Sequence, residues 1–198
     1  MNKFQNKFTF KFLPTSSKGR YISFYKKRFD LIMFEDKKWD WDNNNILASK
    51  ILLESKEVYI TKAGPSKDQS FFYNIQDKSI AVIRGYHYKF ANFNSDENYL
   101  KKNFKIQISS SHSGNILKAL LGRTDIAVVS LSYLNKFLKD NPDKKDLLLV
   151  SEKFDQEYKH RILIRKKINI TVEDINNLIN KMEKAGIINR IWKKYGIK

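Results

Sequence analysis

No cysteine occurs among the 198 residues, so no disulfide framework and no thiol chemistry is open to this chain. Three histidines, with no HExxH helix or other paired spacing, leave nothing to complete a metal site, and neither a metal nor a cofactor is expected. Arginine is scarce: 7 of the 38 basic residues, against 31 lysines spread from Lys3 to Lys198. A net charge of +17 by itself suggests an acidic partner such as nucleic acid, a membrane surface or a polyanion. Arginine, however, is the residue that reads phosphates and guanines bidentately, and a dispersed lysine surplus beside many Asn and Ile reads as composition bias, so no nucleic-acid partner is expected. No window approaches the ~20 apolar residues of a membrane span. The opening "MNKFQNKFTFKF" lacks the apolar stretch of a secretory signal.

What is present is a succession of short apolar runs and amphipathic segments. "FTFKFL" (8–13) alternates like a strand before Pro14; Tyr21, Phe24 and Tyr25 have helical spacing; "FDLIMF" (29–34), apolar but for Asp30, has the form of a strand covered on both faces. A polar loop with Trp39 and Trp41 follows, then a strand near 57–62. "AGPSKDQS" reads as a linker. Beyond it strands at 79–83, 104–108, 125–129 and 147–151 alternate with helices at 96–102, 113–121 and 132–138, which predicts βαβ crossovers and a largely parallel sheet. A strand at 160–166 precedes a final helical stretch, where Thr171 and Asp174 have the form of a capping box and Gly186 a stop.

The stretch "GRTDIAVVS" (122–130) concentrates the argument. Gly122 supplies a left-handed turn, Arg123 and Asp125 hold that turn by a local ion pair, Ile126 to Val129 form a buried strand, and its carboxyl end opens at Ser130. In open α/β sheets ligands sit at such ends. The order "SIAVIRGYHY", "FKIQISSSHSGNILKALLGRTDIAVVS", "HRILIRK" and "INRIWKKYGIK", with "RFDLIMFEDKKWDW" and "ASKILLE" upstream, resembles the periplasmic solute-binding proteins of polar amino-acid ABC importers over nearly the whole chain.

That resemblance implies an α/β, periplasmic-binding-protein-like fold: two lobes, each with a mainly parallel sheet flanked by helices, joined by two crossing strands and hinging on a small ligand in the cleft. Lobe one would hold 1–63 and 166–198, and lobe two 64–165 with the hinge strands. Members usually begin with a further strand, a substrate loop and a helix; this chain starts partway into that first helix, so either a front part with its signal peptide is missing or the first lobe is reduced, and a sheet short of a strand would be compensated by another chain, as in a dimer, or leave marginal stability. The implied function is to bind a small polar solute, amino-acid-like or related, and deliver it to the permease of an ABC importer in the periplasm, or to sense it. An enzyme on the same scaffold, a hydrolase or dehydratase, is the alternative, and a polyanion-binding protein a third.

Candidate ligand residues follow from the chemistry of each position. Trp39 and Trp41 offer flat apolar walls or cover a lobe edge. Glu35, at the end of the strand before them, would receive a cation or stay solvated. Arg84 would clamp a carboxylate or point outward, beside Tyr86 and His87 on the other lip. Ser111 and Ser113 begin a helix whose amides would receive an anion or simply cap it. Ser130 stands where amino-acid binders commonly carry an Asp for the ligand ammonium; it offers hydrogen bonds without charge, which counts against an α-amino acid. Arg20 would face the cleft or the solvent, and reads as solvent-facing. No GxSxG elbow or activated nucleophile is apparent, and no catalytic residue is assigned, although Glu35 and His87 would be the acid and base of the enzymatic alternative.

Overall fold

The structure, a computed structural model, describes residues 1–197. Its elements in chain order are α1 (Arg20–Tyr25), β1 (Leu31–Glu35), β2 (Ile46–Ala48), β3 (Leu53–Lys62), β4 (Ser79–Ile83), α2 (Glu97–Asn103), β5 (Lys105–Ser109), α3 (His112–Leu120), β6 (Ile126–Ser130), α4 (Leu131–Asp140), β7 (Leu148–Arg165), α5 (Val172–Lys184) and α6 (Ile187–Lys194). They divide into two units. Unit 1 takes Met1–Glu54 and Tyr158–Lys194, unit 2 takes Ser55–Glu157 and Tyr195–Ile197, and the chain passes from one to the other inside β3 and again inside β7.

In unit 2 the strand order is β3-β6-β4-β5. β4 runs parallel to β5 and to β6, while β3 lies antiparallel to β6, with Val58 opposite Val129 and Glu57 opposite Ser130. Strand alternation sorts the side chains to two faces. Val58, Ile60, Ala81, Ala127 and Val129 meet Ile116 and Ala119 of α3 and Leu134 of α4. Tyr59, Ile80, Val82, Ile126 and Val128 meet Phe72 and Tyr88 on the other side. Covered on both faces, Ile126 to Val129 are fully buried, as their unbroken apolar run implies. The turn before them has Gly122 at φ 67°, and its N–H and that of Arg123 close onto the carbonyls of Ala119 and Lys118, ending α3. Asp125 is not held by Arg123 as expected; it accepts from the Ser79 N–H at 2.8 Å and the Ser79 hydroxyl at 2.7 Å, fastening the start of β6 to the start of β4.

Unit 1 is built on the second half of β7, flanked by β1 and β2, both antiparallel to it. The mainly parallel order expected throughout therefore holds in unit 2 alone, because β7 is a returning strand and pairs with β1 and β2 head to tail. Ile162 and Ile164 pack on Ile175, Ile179 and Ile188 of α5 and α6; Leu163 turns the other way onto Phe24, Trp41 and Ile46. The register of β1 slips between Met33 and Glu35, with Phe34 at φ 63°. This bulge sends Glu35 to the face of Leu163 instead of that of Ile162.

Three readings change. Residues 8–13 form no strand: the Phe10 N–H and carbonyl bond the Asn2 side-chain amide, and Gln5 does the same for Phe8, so these peptide groups are satisfied without a ladder. The strands read at 147–151 and 160–166 are one, β7, because Asp155 and Gln156 in the polar stretch between them are buried and bonded. The Gly64–Ser66 segment is not a linker but lies within unit 2, ahead of a 3-10 turn at Gln69–Phe72 that buries Phe72.

Candidate functional site

Polar residues gather at one place in each unit. In unit 2 it is where β4, β5 and β6 end. The Arg84 N–H bonds the Ser109 carbonyl at 2.9 Å, extending the β4–β5 ladder one step past the strands. Ser111 caps α3, its hydroxyl accepting from the Gly114 N–H at 3.2 Å, with the Ser113 hydroxyl 3.4 Å away. Ser130 ends β6 and caps α4 with a long 3.4 Å bond from the Tyr133 N–H; its own N–H points to His112 Nδ1, also at 3.4 Å. The His112 ring lies between Tyr86, 5.6 Å away edge-to-face, and Tyr133, 5.1 Å away. Burial pushes the His112 pKa down to about 4, so the imidazole is neutral at pH 7. With Nδ1 as acceptor, the proton is assigned to Nε2. One turn along α3, Asn115 is fully buried; its carbonyl oxygen accepts from the Ser109 hydroxyl, and its Nδ2 has no partner.

Of the residues singled out in the sequence, the structure thus brings Tyr86, Ser111, Ser113 and Ser130 together around His112. Arg84 points away, half exposed, in an ion pair with Glu97. His87 is buried, with Nδ1 2.7 Å from the Phe93 carbonyl and its own carbonyl accepting from the Gln156 side chain.

In unit 1 the polar group is internal. Arg20, read as solvent-facing, is buried, and its Nε lies 3.0 Å from Glu35 Oε1; Glu35 Oε2 accepts from Trp41 Nε1 at 2.9 Å. Desolvation raises the Glu35 pKa while the Arg20 charge draws it back. Tyr21 stacks between the Arg20 guanidinium, 4.5 Å from its ring centre, and Trp41, 4.6 Å between rings, and donates to the Trp39 carbonyl at 2.6 Å. Trp41 is 4% exposed and belongs to the core with Phe24. Trp39 lies against Tyr158 and His160, at 5.3 and 5.6 Å. The positive φ of Phe34 turns that ring toward His160 and Trp192.

Three polar residues escaped the sequence reading, His112, Asn115 and Glu57, and a fourth, Arg20, was placed on the wrong side. His112 and Asn115 lie inside the quoted "SSSHSGN", where the helical period of Asn115 with Ala119 was the available signal. Arg20 gave none, since its partner Glu35 is reached only through the β1 bulge. Glu57 was passed over as one polar position of an alternating strand. Among the described residues no group of three or more His, Asp or Glu side chains is placed to hold a metal ion. No helix among them is long and apolar enough to cross a membrane.

No protein-family model matches this chain, and no curated protein matches it. Solved structures do. A binding component of an ABC transporter from Wolinella succinogenes complexed with lysine is similar at a TM-score of 0.71 and 14% identity, over 95% of this chain and 78% of that one. An amino-acid ABC transporter substrate-binding protein from Streptococcus pneumoniae bound to L-arginine is similar at a TM-score of 0.64 and 16% identity, over 94% and 77%. An ancestral amino-acid-binding protein described as a precursor of cyclohexadienyl dehydratase is similar at 0.64 and 19%, over 93% and 77%. With its strand order, its two units and its double passage between them, the chain has the periplasmic-binding-protein fold, the plan on which the amino-acid-binding proteins of ABC transporters are built.

Proposed function

We propose that this chain is a solute receptor: it binds a small polar solute, amino-acid-like in size, at the ends of β4, β5 and β6, and hands it to the permease of an ABC importer on the outer side of a membrane. Its two units correspond to the two lobes of such receptors. The observation that carries the reading is the convergence, in unit 2, of three parallel strand ends with the hydroxyl-capped starts of α3 and α4, where Asn115 Nδ2 is buried without a partner. Strand ends of this kind are where open α/β sheets take ligands, and free amides at a helix start favour an anionic group.

In this reading Ser111 and Ser113 receive a carboxylate or similar anion, Ser130 bonds the opposite end of the solute, and Tyr86 forms an apolar wall. Trp39, Trp41, Glu35 and His87 shape the surroundings by packing, and Arg84 stays at the rim. The lysine and arginine complexes of similar fold support a nitrogen-rich solute. Among the described residues no catalytic set is assigned, and Glu35 and His87, the pair the enzymatic alternative would use, are each bonded within their own unit.

The test is a thermal-shift screen of L-amino acids, amines and small peptides, followed by mass analysis of the incubated solute. A receptor gains about 2.7 kcal/mol at a ligand concentration 100 times Kd, and the solute is recovered unchanged. Replacing both Ser111 and Ser113 by Ala should weaken anionic solutes by about tenfold or more while leaving the unliganded melting temperature within a few degrees. Turnover of the solute would move the assignment to an enzyme, and no shift with any of them would remove the proposal.

A further inference from the structure

Glu57 is the most poorly provided buried acid in the molecule. It is 3% exposed, and Oε2 has no hydrogen-bond partner. It stands on β3 directly opposite Ser130, and strand alternation puts both side chains on the face of Tyr59 and Val128. Among the described residues no cation reaches it. The one charge acting on it is that of Asp155, a second buried acid, and burial together with that charge holds the Glu57 carboxyl well above the usual carboxylate range.

Asp155 is fully served: it accepts from the Tyr59 hydroxyl at 2.7 Å and from the Lys89 and Phe90 amides at 2.8 and 3.0 Å. Glu35 has Arg20 and Trp41. The nearby Tyr88 hydroxyl is taken up by the Ile83 N–H. The chain therefore builds complete shells for its other buried acids and leaves this one open, at the strand end where the solute is proposed to sit. A buried carboxyl without a partner is costly, and the cost is removed when a cation arrives to share its desolvated pocket.

We propose that Glu57 is the anchor for a cationic group of the bound solute, a primary ammonium or a guanidinium, which it holds jointly with the Ser130 hydroxyl. The inference rests on the receptor reading above and narrows it to a solute class. Side chains directly opposite on antiparallel strands have Cβ atoms about 5 Å apart, close enough for one ammonium or guanidinium to bond both. The Ser130 hydroxyl is committed only to a 3.4 Å capping contact and a 3.5 Å contact with Ser132, so it is available to turn toward a ligand. The charge that Ser130 itself lacks is supplied from the neighbouring strand.

Matched pairs of solutes, each with a carboxylate at one end, test this on the full chain by calorimetry: 4-guanidinobutanoate against 4-ureidobutanoate, which exchanges its one guanidinium for a neutral urea, and 5-aminopentanoate against 5-hydroxypentanoate, which exchanges its one ammonium for a hydroxyl; within each pair the first member is cationic at the probed end and the second neutral there. The wild type should bind the cationic member of each pair about tenfold tighter or more, and Glu57→Gln should bring the two members within about threefold of each other. The unliganded variant should melt no lower than the wild type, since it removes an unpaired buried acid. Neutral members binding as well as cationic ones in the wild type would overturn the Glu57 assignment while leaving the receptor reading intact, as would a cation preference that survives in E57Q. The wild-type comparison decides the matter even if the variant folds poorly. Failure of every member of both pairs, in a protein that also ignores the wider solute screen, would remove the receptor reading and this inference with it.

Discussion

Two histidines, one in each unit, are half-buried with their ring protonation suppressed. Burial takes both His112 and His160 from an ordinary value of 6.5 down to about 4, and in His160 the nearby Asp36 charge offsets only part of that. Between these values the unfolded chain binds protons that the folded one refuses, so stability is complete above pH 6.5 and drains away as pH falls toward 4, by roughly 3 kcal/mol per histidine at most. Glu35 and Glu57 act in the opposite sense: their raised pKa values favour the folded state at low pH and lose that contribution as pH rises through them. The histidine part is isolated by difference. Melting temperature followed from pH 7.5 to 4.5 should fall more steeply in the wild type than in His160→Phe, and the gap should close above pH 6.5; parallel curves would refute it. Such single-residue behaviour was barely legible in advance. Nothing in "SKGRY" indicates that Arg20 is buried beside an acid fifteen places on, because the bulge that delivers Glu35 is a backbone event without a sequence mark. Nor does "KEVYIT" distinguish a solvent-facing Glu57 from a buried one.

Helices and strands were far more readable, and the exceptions share a cause. α3, α4 and the parallel strands of unit 2 follow directly from period and punctuation. The Thr171–Asp174 capping box is present with both reciprocal bonds, at 3.0 Å each between side chain and backbone. Replacing Thr171 by Ala should lower stability by about 1 kcal/mol, read from urea unfolding, and Thr171→Ser should restore most of it. An unchanged midpoint would mean that packing of Ile175 and Ile179 alone fixes the start of α5. By contrast, β7 was divided in two because "EKFDQEYK" is polar, whereas Asp155 and Gln156 find partners inside unit 2 and let the strand continue. Residues 8–13 erred the other way: the alternation is real, but Asn2 and Gln5 meet the backbone first. In each case a side-chain amide or carboxylate supplied what a neighbouring strand or solvent was expected to supply.

At the level of the molecule, a charge of +17 acts on everything else. The lysines are dispersed, so the dominant effect is self-repulsion of the compact state. Raising sodium chloride from about 0.01 to 0.3 M, which shortens the screening length from roughly 30 to 6 Å, should raise the melting temperature by several degrees without any ligand. A flat response would show that paired acids such as Asp140 and Glu183 already neutralise the surface locally. The overall architecture was readable from the order of weak motifs, while the chemistry at the strand ends was only half so, since it depends on which polar side chains the fold leaves without partners.

The double passage of the polypeptide also sets an order of events during synthesis. Residues 55–157 emerge from the ribosome as an unbroken stretch that contains nearly all of unit 2, whereas residues 1–54 must wait for Tyr158 and beyond to complete their sheet and helices. The part made first is therefore the part finished last, and until the second half of β7 appears its Phe24, Trp41 and Ile46 have no Leu163 to close over them. For a nascent chain this is an interval of exposure to proteases and holdase chaperones.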